Sequence, residues 1–478
     1  MANFQPHPDA AQDLYPHKWW ILAAIGVSLF MSSIDGTIVN VALPTLTRSL
    51  ATDFATIQWV VLSYLLGLAV LMLGMGRLGD MIGKKRVFSF GLVIFVLSSM
   101  LCGLAPGVYW LIGFRFLQSI GAGMMMALGV AIVTETWPAR ERGMAIGISG
   151  GIISLGIAAG PALGGVILHN LNWRWIFFVN VPIGVVAFVL VRQFIPALAP
   201  RQMNERFDFA GAFLVGLGLL ALSLSMTFVQ RYGLASPQAL GLFGLSALSL
   251  IAFVWVERRV QFPMIDLALL ANPEMSSGLL AGFLTFVSIA AVVLILPFYL
   301  ELVMGLDQQE VGMLMAVVPI VLGILGPLSG TLSDRVGTRP VSIVGLILLV
   351  AGYFTLSRLT THSQPLDFVL ALLPVGMGMG IFQTPNNTSV MNASPHSRLG
   401  IASGMLSMSR TLGQSTGIAL LSAYFAVRLN VYAGSVIDIN AAQPVAIVSA
   451  MRDQFYVTML LIAVGLVVIL GQGWRERR

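Results

Sequence analysis

Charge is what this chain has least of: only 10% of its 478 residues are Asp, Glu, Lys or Arg. A soluble domain carries roughly a quarter. The apolar residues that take up the difference make 57% of the chain and give a mean hydropathy of +0.89. So much apolar surface has to face something other than water, which excludes a string of soluble domains in spite of the length. Cysteine is almost missing. Cys102 stands alone inside an apolar run, so an intramolecular disulfide is impossible and a thiolate metal cluster is not expected. The five histidines, at 7, 17, 169, 362 and 396, fall in loops or tails without metal-ligand spacing. A phosphate-cradling loop ending in Lys-Ser or Lys-Thr is missing, which argues against an ATP-driven pump. The glycine runs are too apolar on both flanks to hold a dinucleotide. No enzyme activity, metal or cofactor is therefore expected. The net charge of +6 would suit nucleic acid in a soluble protein, but here the basic residues sit in short loops, where a membrane explains them better.

What the chain has instead is long apolar runs. Crossing the ~30 Å hydrocarbon layer takes about 20 apolar residues. Fourteen runs of that order lie near 19–43, 56–76, 87–105, 107–134, 143–168, 174–194, 209–229, 238–256, 276–303, 310–331, 340–358, 367–390, 400–427 and 454–473. The first exceeds twenty residues, and the stretch up to Pro16 lacks the pattern of a cleaved signal, so it reads as a span. Fifty glycines would destabilise soluble helices, but between membrane helices they permit close backbone contact. An even count of spans puts both ends on one side. The loops of that side, with the ends, hold 18 of the 26 Lys and Arg, among them Lys18, Arg77, Lys84, Lys85, Arg86, Arg140, Arg142, Arg192, Arg201, Arg206, Arg398 and Arg478. The other loops hold 6, and Arg115 and Arg410 lie within spans. The positive-inside rule makes the 18-residue side cytoplasmic.

The sequence also repeats itself. Gly76, Leu78, Asp80, Gly83 and Val87, between spans 2 and 3, recur as Gly330, Leu332, Asp334, Gly337 and Val341, between spans 10 and 11. Gly143, Ala145, Gly147, Gly156 and Gly160 in span 5 recur as Gly400, Ala402, Gly404, Gly413 and Gly417 in span 13. The offsets, 254 and 257 residues, are nearly one. Spans 1–6 and 9–14 are thus homologous halves, and spans 7–8 have no counterpart. Two like bundles about a midplane cavity are the architecture of alternating access. The expected division is a tail (1–17), a six-helix bundle (18–194), a two-helix insertion (195–273) and a second six-helix bundle (274–478).

These motifs together resemble the major facilitator superfamily, specifically its fourteen-span drug:proton antiporter branch. Ile34-Asp35-Gly-Thr-Ile-Val-Asn40-Val-Ala-Leu-Pro44 is similar to the branch's span-1 signature. Gly76 to Arg86 resembles the superfamily's loop motif, with Met81 in place of the usual Arg, which Asp334-Arg335 keeps in the second half. Arg115-Phe-Leu-Gln118 resembles the span-4 motif, with Ser119 where Gly is common. Gly147, Gly156, Gly160-Pro161 and Gly164-Gly165 match the span-5 antiporter motif, which favours export over import. The resemblance covers nearly the whole chain. It implies an all-α membrane protein of fourteen helices, acting as a monomer in a prokaryotic cytoplasmic membrane on small molecules and protons.

Individual residues follow from depth and chemistry. Asp35 lies eight residues before Leu43 and Arg115 eight after Gly107, so both are ~12 Å from the same surface at a 1.5 Å rise. Ionisable groups at that depth face a cavity or a partner. Burial and a neighbouring arginine act on an aspartate in opposite senses, which suits proton coupling, while a permanent structural ion pair is the alternative. Glu301, near the outer end of span 9, reads as a second titrating or cation-attracting group, or as a wetted rim residue. Gly76, Asp80, Gly83, Lys84 and Arg86, with Asp334 and Arg335, form a loop whose glycines would allow tight reversal. In similar transporters this loop latches the cytoplasmic side of the outward-open state; otherwise it only fixes topology. Gly156, Gly160 and Gly164 share one helix face, and Pro161 frees a carbonyl there. Asn40, Gln118, Gln383, Asn386 and Asn387 are expected in the substrate cavity, with interhelical bonding the alternative for the polar residues of span 12. Arg410 has no evident carboxylate partner.

The reading that gathers these residues is proton-coupled efflux of small lipophilic compounds, cationic ones among them. Two alternatives stay open: a dedicated exporter or flippase of one endogenous amphiphile, and a non-transporting receptor or scaffold. For the topology, reporters inserted near Asn204 or fused after Arg478 should give a cytoplasmic signal and one near Gln364 an external signal. An external signal near Asn204 would mean a miscount of one span before it.

Overall fold

The computed structural model describes residues 17–138, 141–197, 208–260, 269–395 and 399–476. Arg140, Arg201, Arg206, Arg398, Arg478 and Asn204, used above for topology, lie outside these segments. The described residues are helical, without a strand, and include fourteen helices long and apolar enough to cross a membrane. In the first half these are α1 (Lys18–Ser49), α2 (Trp59–Ile82), α3 (Lys84–Gly103), α4 (Val108–Thr136), α5 (Arg142–Asn170) and α6 (Trp175–Phe194). Next come α7 (Phe209–Tyr232) and α8 (Pro237–Glu257). The second half has α9 (Pro273–Val303), α10 (Gln308–Val336), α11 (Thr338–Leu356), α12 (Pro365–Asn392), α13 (Leu399–Ala433) and α14 (Pro444–Glu476). Lys84, Arg142, Arg258 and Arg339 gather at one end of the helices, the basic face. Arg48, Arg174, Arg231 and Arg358 lie at the other, the opposite face.

The repeat seen in sequence is a repeat of contacts. On α5, Gly156 lies where a Cβ would stand 2.9 Å from the Phe30 carbonyl oxygen, and at Gly160 it would stand 3.1 Å from that of Ile34, both on α1. On α13, a Cβ at Gly413 would stand 2.7 Å from the Phe283 carbonyl oxygen, and one at Gly417 would be driven onto that of Val287, both on α9. In each half a glycine face one turn apart thus brings two backbones together, which is how helices associate where no hydrophobic effect separates them from lipid.

The Gly76–Arg86 segment is not the glycine-rich loop that its composition suggests. Helix α2 runs on through Gly76, Asp80 and Met81 to Ile82, and Lys84 already opens α3. Only Gly83 leaves the helix, at φ 103°, and Gly337 does the same between α10 and α11 at φ 92°. One left-handed residue, open to glycine at little cost, suffices to reverse the chain. The other glycines of the motif remain free to pack, as Gly79 does against Leu128 of α4.

The inserted pair α7–α8 lies against both halves. Val215 and Leu219 of α7 and Phe253 of α8 pack with Leu66 and Ala69 of α2 and with Met408 of α13. Trp59 Nε1 donates to Thr227 Oγ1 at 2.9 Å, and Arg231 pairs with Asp53 at 2.8 Å, fastening α7 to the first half near the opposite face.

Replacing Gly417 by Ala should lower the unfolding free energy in detergent by ~1–3 kcal/mol, the usual cost of overpacking. Gly147→Ala should cost nothing measurable, since a Cβ there meets nothing within 4 Å. Equal stability of the two variants in thermal unfolding would refute the close α9–α13 contact.

Candidate functional site

Asp35 is wholly buried on α1 and is met by three donors. Arg115 Nη1 donates to Oδ2 at 2.6 Å, while Gln118 Nε2 and Asn180 Nδ2 donate to Oδ1 at 2.9 and 2.8 Å. Arg115, 1% exposed, also donates through Nε to the Val60 carbonyl at 3.1 Å and through Nη1 to Gln118 Oε1 at 2.7 Å. Its guanidinium lies over the Tyr64 ring, 4.2 Å from the centroid. Gln118 Nε2 further donates to Ser99 Oγ at 2.7 Å. A buried ion pair holds only when the remaining lone pairs and protons are satisfied, and here five helices, α1, α2, α3, α4 and α6, contribute to satisfying them. The Asn180 Oδ1 atom is the exception, buried without a partner.

The halves meet at the opposite face. Arg48 of α1 pairs with Glu301 of α9 at 2.5 Å, with the Glu301 side chain 4% exposed. Phe54 lodges against Phe298 and Phe425, ring centroids 5.3 and 5.9 Å away, and its backbone N–H donates to Asp438 Oδ2 at 3.1 Å. Gly165 of α5 and Gly312 of α10 touch back to back, a Cβ at Gly165 standing 3.0 Å from the Gly312 Cα. At the basic face three ion pairs and one hydrogen bond among the described residues each stay within one half. Lys18 holds Glu141, Lys84 holds both Asp80 and Glu135, and Glu274 accepts from Ser389. Mid-depth positions on the interface helices, Gly150 and Gly151 on α5 and Gly323 on α10, have open space beside them. The contacts between halves, Arg48–Glu301, Phe54 and Gly165–Gly312, lie at the opposite face.

Within the second half a small cavity, about the size of one water, lies between α9, α12 and α13. Phe286, Gln383, Asn386, Asn387 and Arg410 line it. Asn386 is buried and donates to the Gly278 carbonyl at 3.1 Å, an interhelical bond, whereas Gln383 and Asn387 are half-buried at the cavity wall.

A profile of the Major Facilitator Superfamily matches residues 25–418 and, again, 278–471. The chain belongs to the major facilitator superfamily. It is 33% identical to the riboflavin transporter RibZ of Clostridioides difficile (strain 630), over 86% of this chain and 89% of that one. It is also 33% identical to the multidrug resistance protein Stp of Mycobacterium tuberculosis (strain CDC 1551 / Oshkosh), over 86% of this chain and 76% of the relative. Its fold is similar to the crystal structure of a bacterial homologue of the human lysosomal transporter Spinster, inward-facing and unoccupied, with a TM-score of 0.66 and 16% identity, covering 96% of this chain and 97% of that one. This superfamily member is a multi-pass transporter and not an enzyme.

Several residues expected in one role stand in another place. Gln118, assigned to the substrate cavity, is fully buried and spends its amide on Asp35, Arg115 and Ser99, because it lies one turn from Arg115 on α4. Asn40 is half-buried on α1. Glu301 is far along the chain from the Asp35 cluster and belongs to the contact between halves. Asp334 and Arg335 are exposed, as is Arg86. Sequence reasoning passed over Asn180, Ser99 and Tyr64, and also Arg48 and Asp438. An asparagine inside the apolar run 174–194 was the available signal for Asn180.

Asn180→Leu removes one donor from a buried carboxylate and should cost ~1.5–3 kcal/mol of stability. In an Asp35→Asn background the cost should fall to less than half, since the charge is gone. The four proteins, unfolded in parallel, make a double-mutant cycle, and a coupling energy of zero would show that this bond does not form.

Proposed function

We propose that this transporter exports small lipophilic compounds in exchange for protons by alternating access. The observation that carries the reading is the Asp35 cluster: a carboxylate sealed from solvent and held by Arg115, Gln118 and Asn180. Protonation of such a carboxylate releases the Arg115 contact and loosens α1 from α4 and α6, so proton binding and helix position are linked. Helix α1 carries the other end of the same linkage, because Arg48 ties it to Glu301 of α9. Glu301 acts in this reading as the gate partner whose neutralisation would release the opposite face.

The basic face is the cytoplasmic one in this proposal, so the conformer is inward-open. Asp80 then holds Lys84 within its own half, 2.7 Å away. A latch made by Asp80, with Asp334 and Arg335 from the second half, belongs to the outward-open conformer, in which the basic face closes. Gly147, Gly156, Gly160, Pro161, Gly164 and Gly165 let α5 roll between α1 and α10 in that exchange. The similarity to Stp supports a range of lipophilic substrates, and the similarity to RibZ supports a second reading, a dedicated exporter of one compound. Competition by unrelated dyes separates the two.

In proteoliposomes with an imposed pH gradient, Asp35→Asn should abolish uphill dye efflux, to the level of protein-free vesicles. The variant imitates the protonated state that the cycle must visit, so it should still purify as a folded monomer. Gradient-driven efflux at the native rate in that variant would remove Asp35 from coupling.

A further inference from the structure

Among the described residues, the charged side chains at the middle depth of the fourteen helices are Asp35, Arg115 and Arg410. The first two neutralise each other. Arg410 does not. It lies eleven residues into α13, ~16 Å from the basic face at a 1.5 Å rise. Asp and Glu of the second half cluster at helix ends and loops: Glu274, Glu301, Asp307, Glu310, Asp334, Asp367, Asp438, Asp453 and Glu476. Arginine stays protonated and cannot shed this charge as a lysine can. Its Nε is buried with no hydrogen-bond partner, and the one interaction shown for its guanidinium is with the Phe286 ring, 5.0 Å from the centroid. A cation–π contact contributes less than a lone cation costs at the bilayer centre, even on the most lenient scale. Beside it in the cavity wall stand the half-buried amides of Gln383 and Asn387, which make no hydrogen bond shown among the described residues.

We propose that Arg410, with the amides of Gln383 and Asn387, is a subsite for an anionic oxygen group, a carboxylate or a phosphate, on an amphiphile whose apolar part lies along Phe286. The guanidinium fork presents parallel N–H donors to such a group. Two amides beside it supply donors that adapt by rotation, and the half-buried Phe286 ring accepts the hydrocarbon. A cationic amphiphile meets an unneutralised positive charge in the same place and is disfavoured. This assignment rests on the reading that the cavity within the second half opens onto the transport path, and it is independent of whether Asp35 couples protons.

Binding of 2-naphthoate, 2-naphthylmethanol and 2-naphthylmethylammonium to the full chain in detergent micelles, by calorimetry with no pH gradient, tests it. The carboxylate should bind roughly ten- to hundred-fold more tightly than the alcohol, as expected for a charge-assisted bond, and the ammonium most weakly. Arg410→Gln should erase the preference, Arg410→Lys should keep part of it, and Asp35→Asn should leave it intact. Gln383→Leu, which leaves every charge in place, should weaken the carboxylate alone and serves if Arg410→Gln does not fold. In a second arm, thermal stabilisation by phosphatidylglycerol over phosphatidylcholine, lost in Arg410→Gln, would assign the anion to a lipid headgroup instead of a soluble compound. Naphthoate no tighter than the alcohol, together with no Arg410-dependent effect of phosphatidylglycerol, overturns the proposal. A native protein that shows no gradient-driven efflux but keeps the carboxylate preference would sink the coupling and spare the subsite.

Discussion

A carboxylate in the middle of a membrane protein has to be surrounded before the helices around it can settle. Asp35 accepts from Arg115, Gln118 and Asn180, and Arg115 in turn reaches Val60 and lies over Tyr64. Each of these groups is worth little alone in water, but in a dry interior the penalty for leaving any of them unpaired is the full desolvation of that group. The first six-helix bundle is thereby organised about one polar point. Its apolar core, Ile25, Leu29, Phe88, Phe95 and Leu128 among others, packs on the basic side of that point. The same dependence makes the point sensitive: one proton on Asp35 alters the contacts of α1, α4 and α6 at once.

The second constraint is how closely the helices stand. Gly156 and Gly160 seat α5 on α1, and Gly413 and Gly417 seat α13 on α9, so each half moves as a set of backbones already in contact. The halves touch each other through a different pair, Gly165 and Gly312, and through Arg48–Glu301 and Phe54 at the opposite face. Tight contact within halves and a limited contact between them is the mechanical requirement for rocking about a fixed site. The inserted α7–α8 pair covers the seam between α2 and α13 without adding a glycine contact of that kind.

Fourteen spans and the internal repeat were legible because hydropathy and spacing report them directly. The level of Asp35 with Arg115 was legible too, since rise per residue converts sequence position to depth, and the two are 2.6 Å apart. What sequence position does not convert to is azimuth. Gln118 reads as polar and mid-span, but only its turn relative to Arg115 decides that it faces Asp35 and not the cavity. Asn180 sits 145 residues from Asp35, and nothing short of the packing of α6 on α1 joins them. Gly76 to Gly83 shows the converse error: a run of glycines suggested a loop, whereas a helix that must pack closely uses glycines equally well, and only Gly83 needed its left-handed φ.

The repeat also shows where the halves have parted in function. The glycine contacts match Phe30 of α1 with Phe283 of α9, which brings Ser288 to the place of Asp35. Ser288 is buried and donates to the Leu284 carbonyl at 2.8 Å, closing its bond within its own helix. The span-5 echo sets Arg410 opposite Ile153, an apolar residue. One half thus carries a compensated pair about a carboxylate, and the other carries a single uncompensated arginine at the cavity wall. Duplicated bundles start with the same residues at both places, so a charge kept in one and absent from the other marks a division of work. On the proposed reading the pair takes up its proton in the other half, away from the Arg410 cavity, and the lone arginine selects a ligand without being titrated away. In the proposed cycle proton and substrate act on different halves, and the contacts between the halves transmit one to the other.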